Sequence, residues 1–152
     1  MKFQRILFPV DFSSHSEDCL KGSSRWLASD SAREVHFLYI LHTPTDFSSW
    51  EGNPTEEVES RLKEFVHDFN PCRDAAGTLT VVTGHPSTEI CKYAADHDCD
   101  LILMATHGRT GLAHMILGST TEQVVRHAPC PVLTVRIGPL HTARDQGPVG
   151  SL

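Results

Sequence analysis

The run Leu101-Ile102-Leu103-Met104-Ala105 restricts the possible folds of this chain more than any other feature. A strand with one wet face alternates apolar and polar side chains. A short run that is apolar at every position must be covered on both faces, the condition of a parallel strand between two helical layers. Four further stretches have a similar character: Phe3–Val10, Val35–Leu41, Leu79–Thr83 and Val132–Ile137, which join Leu101–Thr106 as strand candidates.

Helical signals fall between these runs. Ser14-His15-Ser16-Glu17 has capping-box spacing and opens a helix to about Ala28. The second strand is followed by a polar loop through Trp50-Glu51-Gly52, where Trp50 is a candidate lid or partner contact. Asn53-Pro54-Thr55-Glu56 then supplies a cap, a first-turn proline and an acid. Val58, Leu62, Phe65 and Phe69 follow at helical spacing, so they read as core, as does Trp26. Pro86 opens a third helix carrying Ile90, Ala94 and His97. Ser119-Thr120-Thr121-Glu122 repeats the capping-box spacing, and Pro129 and Pro131 end that helix. Strands alternating with helices, with no internal repeat, predict βαβ units with right-handed crossovers in a parallel sheet.

At 152 residues the chain favours one domain. Gly138, Pro139, Gly147, Pro148 and Gly150 mark a flexible tail, so the expected division is a domain over 1–138 and a tail over 139–152. A net charge of −6 with 13 Lys+Arg gives no nucleic-acid footprint. No apolar run reaches the roughly 18–20 residues of a membrane span, and Met1 to Pro9 is too short for a signal peptide. The five cysteines (19, 72, 91, 99, 130) form no C-x-x-C pair, which points to free thiols and a cytoplasmic location. The ten histidines include His36, His42, His85, His107 and His114 but make no dense ligand spacing, so no metal site is expected.

In an open parallel sheet, ligands collect beyond the carboxyl ends of the strands, where the winding reverses. Three segments fall at such ends: Pro9-Val10-Asp11, Ile40-Leu41-His42, and Ala105-Thr106-His107-Gly108. The third opens a loop that reaches Gly118-Ser119-Thr120 at the start of a helix. Glycine lets backbone approach a phosphate closely. The unpaired first amides of the helix and its dipole then favour an anion. Ser119 and Thr120 add hydroxyls, and Arg109 adds charge above the loop. Neither a G-x-x-x-x-G-K-[ST] loop nor a G-x-G-x-x-G turn is present. Without G-x-S-x-G, or a visible His/Asp partnership for Ser119, no catalytic set is assigned. A receiver-type role for Asp11 would need a second Asp after the third strand, and that end reads Thr83-Gly84-His85.

Ala105 to Gly108, nine residues, then Gly118-Ser119 resembles the universal stress protein pattern G-x-x-G-(nine residues)-G-[S/T], with Ala105 replacing the first glycine. Ile6-Leu7-Phe8-Pro9-Val10-Asp11-Phe12-Ser13 resembles that family's opening strand and Asp. Val82-Thr83-Gly84-His85-Pro86 with Ile90 resembles its G-x-P-x-x-x-I segment. Asp100 to Met104, Gly108-Arg109-Thr110-Gly111-Leu112 and Pro131 to Val135 are similarly placed, so the likeness runs from about Phe3 to Ile137.

The resemblance implies an α/β fold: an open five-stranded parallel sheet of order 3-2-1-4-5 with helices on both faces. Such a fold is Rossmann-like, of the adenine-nucleotide alpha-hydrolase kind, and forms a homodimer through the last strand, Val132 to Ile137. It further implies ATP, with AMP or ADP as alternatives, and Mg²⁺ bound through the phosphates. By matched position, Pro9, Val10 and Asp11 face ribose or adenine, the Ile40 backbone meets adenine, and Met104 lines the base pocket. Gly108, Gly118, Ser119 and Thr120 hold ribose and phosphates; His107, from its own place inside the motif, reads as orienting the loop by hydrogen bonding. Ala105 puts one backbone contact at stake, because alanine disfavours positive φ. Three functions stand open: a nucleotide-binding stress sensor or regulatory module, a dimeric interaction protein without nucleotide, and a slow ATP hydrolase.

Overall fold

The computed structural model describes residues 3–27, 34–42, 54–69, 76–107 and 117–136, except for the side chains of 24–27, 54, 69 and 76. The elements are β1 Arg5–Val10, α1 Ser14–Leu27, β2 Glu34–Leu41, α2 Pro54–Phe69, β3 Ala76–Thr83, α3 Pro86–Asp96, β4 Leu101–Ala105, α4 Ser119–His127 and β5 Val132–Val135. They form one sheet of order β3-β2-β1-β4-β5 with every pairing parallel. Residues 108 and 109, Trp50, Cys72 and the tail from 139 lie outside the described residues.

Period-two alternation sorts the strand side chains between two cores. Ile6, Phe8, Val10, Val35, Phe37, Tyr39, Leu101 and Leu103 pack with Cys19 and Leu20 of α1 and Val58, Leu62 and Phe65 of α2. Leu7, Leu38, Ile102 and Met104 pack on the other face with Ile90, Tyr93 and Ala94 of α3 and Val124 of α4. Helices therefore cover both faces, which is why the Leu101–Met104 run is buried throughout. Ile6 and Leu7 are fully buried on opposite faces of β1, each burial stabilising the fold by about 1.5–3 kcal/mol.

Two strands differ in length from the sequence reading. β3 begins at Ala76 rather than Leu79 because its ladder with β2 holds from Glu34↔Ala76 to Leu41↔Thr83. Backbone pairing carries the strand through Ala76-Gly77, where side-chain propensity gives no signal. β5 is shorter than expected, since its partner β4 runs out at Ala105↔Val135.

Uneven pairing of β1 opens the sheet. β1 runs along β2 from Arg5↔Glu34 to Val10↔Tyr39, but along β4 only at Ile6↔Leu101 and Leu7↔Ile102. Beyond those residues β1 and β4 part. The chain winds outward from β1 through β2 to β3 and then returns to β4, so the gap falls at the switch point of the sheet.

Candidate functional site

A pocket of about 280 Å³ occupies that opening, near the lower end of the usual size for small-molecule sites. Pro9, Val10 and Asp11 enter it from β1, Ile40 and His42 from β2, and Met104, Ala105 and His107 from β4. Ser16 of α1, Pro86 and Ile90 of α3, and Gly118, Ser119, Thr120 and Thr121 at the start of α4 complete the wall. Its apolar part is built from Pro9, Val10, Ile40, Ile90 and Met104; its polar part comprises Asp11, Ser16, His42 and His107 together with the first turn of α4. One cavity thus brings together ten of the expected residues: Pro9, Val10, Asp11, Ile40, Met104, Ala105, His107, Gly118, Ser119 and Thr120. Gly108 and Arg109 fall outside the described residues.

The start of α4 departs from the capping box expected at Ser119. Gly118 is the N-cap, with φ −67° and ψ 153°, and no side chain caps the helix. Ser119 is therefore the first helical residue. Glu122, whose amide closes the first intrahelical bond to the Gly118 carbonyl at 2.9 Å, turns its carboxylate outward to Arg126 at 2.9 Å. The amides of Ser119, Thr120 and Thr121 lack intrahelical acceptors by geometry, beside the pocket. Two bonds fix this turn to the end of β4: Gly118 N–H to the Thr106 carbonyl at 2.8 Å, and Thr121 Oγ1–H to the Ala105 carbonyl at 3.1 Å. Ala105 itself is a strand residue without positive φ, so the conformation that alanine disfavours is not needed there.

The cap of α1 also moves, one residue earlier than expected. Ser13 Oγ accepts from the Ser16 amide at 3.2 Å, and Asp11 Oδ1 accepts from Ser13 N–H at 3.0 Å and from the Ser13 and Ser16 hydroxyls at 2.6 Å each. The turn that makes this possible puts Phe12 at φ 58°, a strained conformation for a side chain of this bulk. Packing holds it there. The Phe12 ring stacks on Tyr39 at 4.7 Å and meets Phe65 edge-on at 5.6 Å, and the Arg61 guanidinium lies 4.5 Å above the ring. Asp11 is thus a structural anchor as well as a pocket residue.

Histidines ring the rest. His107 Nδ1 pairs with Thr106 Oγ1 at 3.1 Å. His42 Nδ1 donates to the Gly84 carbonyl at 3.3 Å, while the Gly84 amide donates to the Leu41 carbonyl at 3.0 Å. The His42 ring therefore extends the β2–β3 ladder past its end. It also meets His85 edge-on at 5.3 Å.

Sequence reasoning misses Ser16, His42, Pro86, Ile90 and Thr121 as pocket residues. Pro86 and Ile90 are visible in the G-x-P-x-x-x-I segment, but their spacing signals only a helix. His42 is placed by the sequence only within the strand-end segment Ile40-Leu41-His42, one residue past β2, with no role of its own. Ser16 and Thr121 sit inside capping-box patterns and carry no separate signal.

A second polar cluster lies toward the amino end of the sheet. His36 is 6% exposed. Its Nδ1 meets the Tyr93 hydroxyl at 3.0 Å, which also meets Thr80 Oγ1 at 3.1 Å. Its Nε2 has no hydrogen-bond partner among the described residues and lies 3.6 Å from Glu34. Burial above all, with nearby His97 and Arg5, pushes the His36 pKa down against the opposing pull of Glu34. Burial likewise pushes the Cys19 thiol up to about 12 and, as the leading cause, Cys99 up to about 11, so neither is a thiolate nucleophile. Among the described residues no group of three or more His, Cys, Asp or Glu is arranged to hold a metal ion, and no helix is long and apolar enough to cross a membrane.

Fold and pocket define a doubly wound α/β protein with a crevice at the switch point of its sheet. Comparison with known proteins gives that class a family: residues 2–136 match the universal stress protein family model, and the chain belongs to that family. It is similar to the universal stress protein MJ0531 of Methanocaldococcus jannaschii, 31% identical over 145 residues, with 88% of this chain and 82% of the relative covered. The solved structure of MJ0577, a universal stress protein of the same organism, superposes with a TM-score of 0.77 at 28% identity, covering 91% of this chain and 99% of that one. An Arabidopsis thaliana universal stress protein family member solved with AMP bound shares the fold at 16% identity and a TM-score of 0.61, covering 93% and 97%.

Proposed function

We propose that the chain binds an adenine nucleotide in the switch-point pocket, with ATP the physiological ligand and AMP or ADP sharing the seat. The observation that carries this reading is the junction of an apolar crevice with the uncapped first turn of α4 in one cavity. Such a cavity suits a flat apolar base at one end and an anion at the other. The AMP-bound relative supports it, as do members of the same fold solved with cAMP and with dAMP.

The donor set fits nucleotide and bears on how Mg²⁺ would enter. Asp11 is the lone carboxylate among the pocket-lining residues described, and its Oδ1 already accepts three hydrogen bonds. Mg²⁺ would therefore be held through the phosphates of the ligand rather than by a protein cage. The same commitment of Asp11 favours a binding module over a hydrolase. We assign the chain a sensor or regulatory role in stress response, in the cytoplasm, as a homodimer paired along β5. In a monomer β5 is a sheet edge with strand residues left half-buried, which proteins ordinarily cover. The domain is assigned to 1–138 and the tail to 139–152.

Calorimetric titration of nucleotide-stripped protein tests the reading. ATP and AMP should bind, and Gly118→Val, which crowds the backbone beside the anion seat, should abolish binding of both while circular dichroism stays native. No heat from ATP or AMP at millimolar ligand refutes it.

A further inference from the structure

We propose that Thr121 is a positioning residue for the anion seat: its buried hydroxyl ties the first turn of α4 to the last carbonyl of β4. The amides of Ser119, Thr120 and Thr121 are thereby held in place for a single phosphate group. This role rests on the nucleotide reading above and adds to it a residue outside the glycine pattern.

Thr121 is 3% exposed, although the two residues before it are not buried. Its Oγ1–H donates to the Ala105 carbonyl at 3.1 Å. One residue along the chain, the Thr106 carbonyl accepts from the Gly118 amide at 2.8 Å. Two consecutive carbonyls at the end of β4 are thus taken by the N-cap and the third residue of α4. They lie where β1 has already left β4, since the last β1–β4 pair is Leu7↔Ile102. Side-chain and cap bonds here replace the missing ladder. Val124, fully buried and three residues on, anchors the same helix face in the core below. Removing the hydroxyl leaves the Gly118–Thr106 bond as the hydrogen bond joining this turn to the end of β4 among those described. It also strips a partner from the Ala105 carbonyl, a residue of the pocket wall. Binding of phosphate should suffer because its donors shift, whereas the apolar end formed by Pro9, Ile40 and Met104 should not.

The test compares adenosine with AMP, by calorimetry, on nucleotide-stripped wild type, Thr121→Val and Thr121→Ser. Valine keeps the shape and deletes the donor; serine keeps the donor. For Thr121→Val, AMP should bind about tenfold more weakly, the upper end of what one hydrogen bond contributes. Adenosine should stay within about twofold, the scale of ordinary surface effects. Thr121→Ser should recover most of the AMP affinity. Unchanged AMP binding by Thr121→Val, an equal loss for adenosine and AMP, or no recovery by serine overturns the positioning role while leaving the nucleotide reading intact. Wild type that binds neither compound overturns both. If Thr121→Val lacks a native circular dichroism spectrum, Thr121→Ala against Thr121→Ser makes the same comparison, and the same outcomes support or overturn the role.

Discussion

Replacing Asp11 by alanine separates its structural role from any contact with ligand. Asp11 Oδ1 accepts the Ser13 amide and the Ser13 and Ser16 hydroxyls, and Ser16 is only 8% exposed. The substitution removes an acid beside the amino end of α1, worth about 0.3–1 kcal/mol through the helix dipole. It also leaves the Ser16 hydroxyl short of a charged acceptor, at about 1.5–3 kcal/mol for a hydrogen bond to a charged group. Because the turn is only partly buried, the expected loss is about 2–3 kcal/mol, or about 5–10 °C in Tm for a chain of this size. Asp11→Asn keeps an acceptor oxygen and should lose about half as much, since neutral hydrogen bonds are roughly half as strong as charge-assisted ones. Urea unfolding followed by circular dichroism measures both, and ATP titration well below the transition measures binding separately. If Asp11→Ala unfolds at the wild-type midpoint yet loses ATP, the carboxylate is a ligand group and the anchoring argument is wrong.

Acid should weaken the fold through His36. Its folded pKa lies below its ordinary value, so the unfolded chain binds the extra proton first; stability from this group is whole above about pH 6.5 and declines as pH falls below it. Glu34, Arg5 and His97 set the local charge. His36→Asn, which keeps an acceptor near the Tyr93 hydroxyl, should flatten the fall in urea midpoint between pH 7 and 5; an unchanged slope refutes the assignment. The buried thiols Cys19 and Cys99 should resist iodoacetamide at pH 8 in the native protein and react in urea, read by peptide mass spectrometry. Rapid native labelling of either would contradict their burial and raised pKa values.

Fold class is legible in the sequence because it rests on pattern. The unbroken apolar run Leu101–Ala105 requires cover on both faces, and the structure supplies it with α1 and α2 on one side and α3 and α4 on the other. The stripe Val58, Leu62, Phe65 is buried as its spacing demands. Element ends are less legible, since they depend on partners elsewhere in the chain. β3 extends over Ala76-Gly77-Thr78 because β2 offers it a ladder, and the opening Ala-Gly pair carries no strand signal. Capping-box spacing puts both caps one residue late. Spacing alone cannot tell which of Ser13 or Ser14 leaves helical geometry, and the choice is made by an Asp11 carboxylate that reaches Ser13 through a left-handed Phe12.

The same distinction explains what the sequence does and does not show of the pocket. Residues at strand ends can be placed from order alone, because a parallel sheet puts every carboxyl end on one side; Pro9, Val10, Asp11 and Ile40 need no further information, whereas Met104 comes from the family resemblance. Residues that enter from helices depend on helix phase and on how far β1 and β4 diverge, which is a property of tertiary pairing. Thr121 shows the difference most clearly. As a letter it is one more hydroxyl in Ser-Thr-Thr, and the local reading makes it an interior residue of the Ser119-Thr120-Thr121-Glu122 capping box. Ser119 instead is the first helical residue, with Gly118 at the cap, and Thr121, two residues on, is buried with its hydroxyl on the Ala105 carbonyl. A Ser or Asp in place of Gly118 would cap the helix with its own side chain, occupying a donor that the pocket otherwise presents, so the glycine keeps the seat open while the threonine keeps it still.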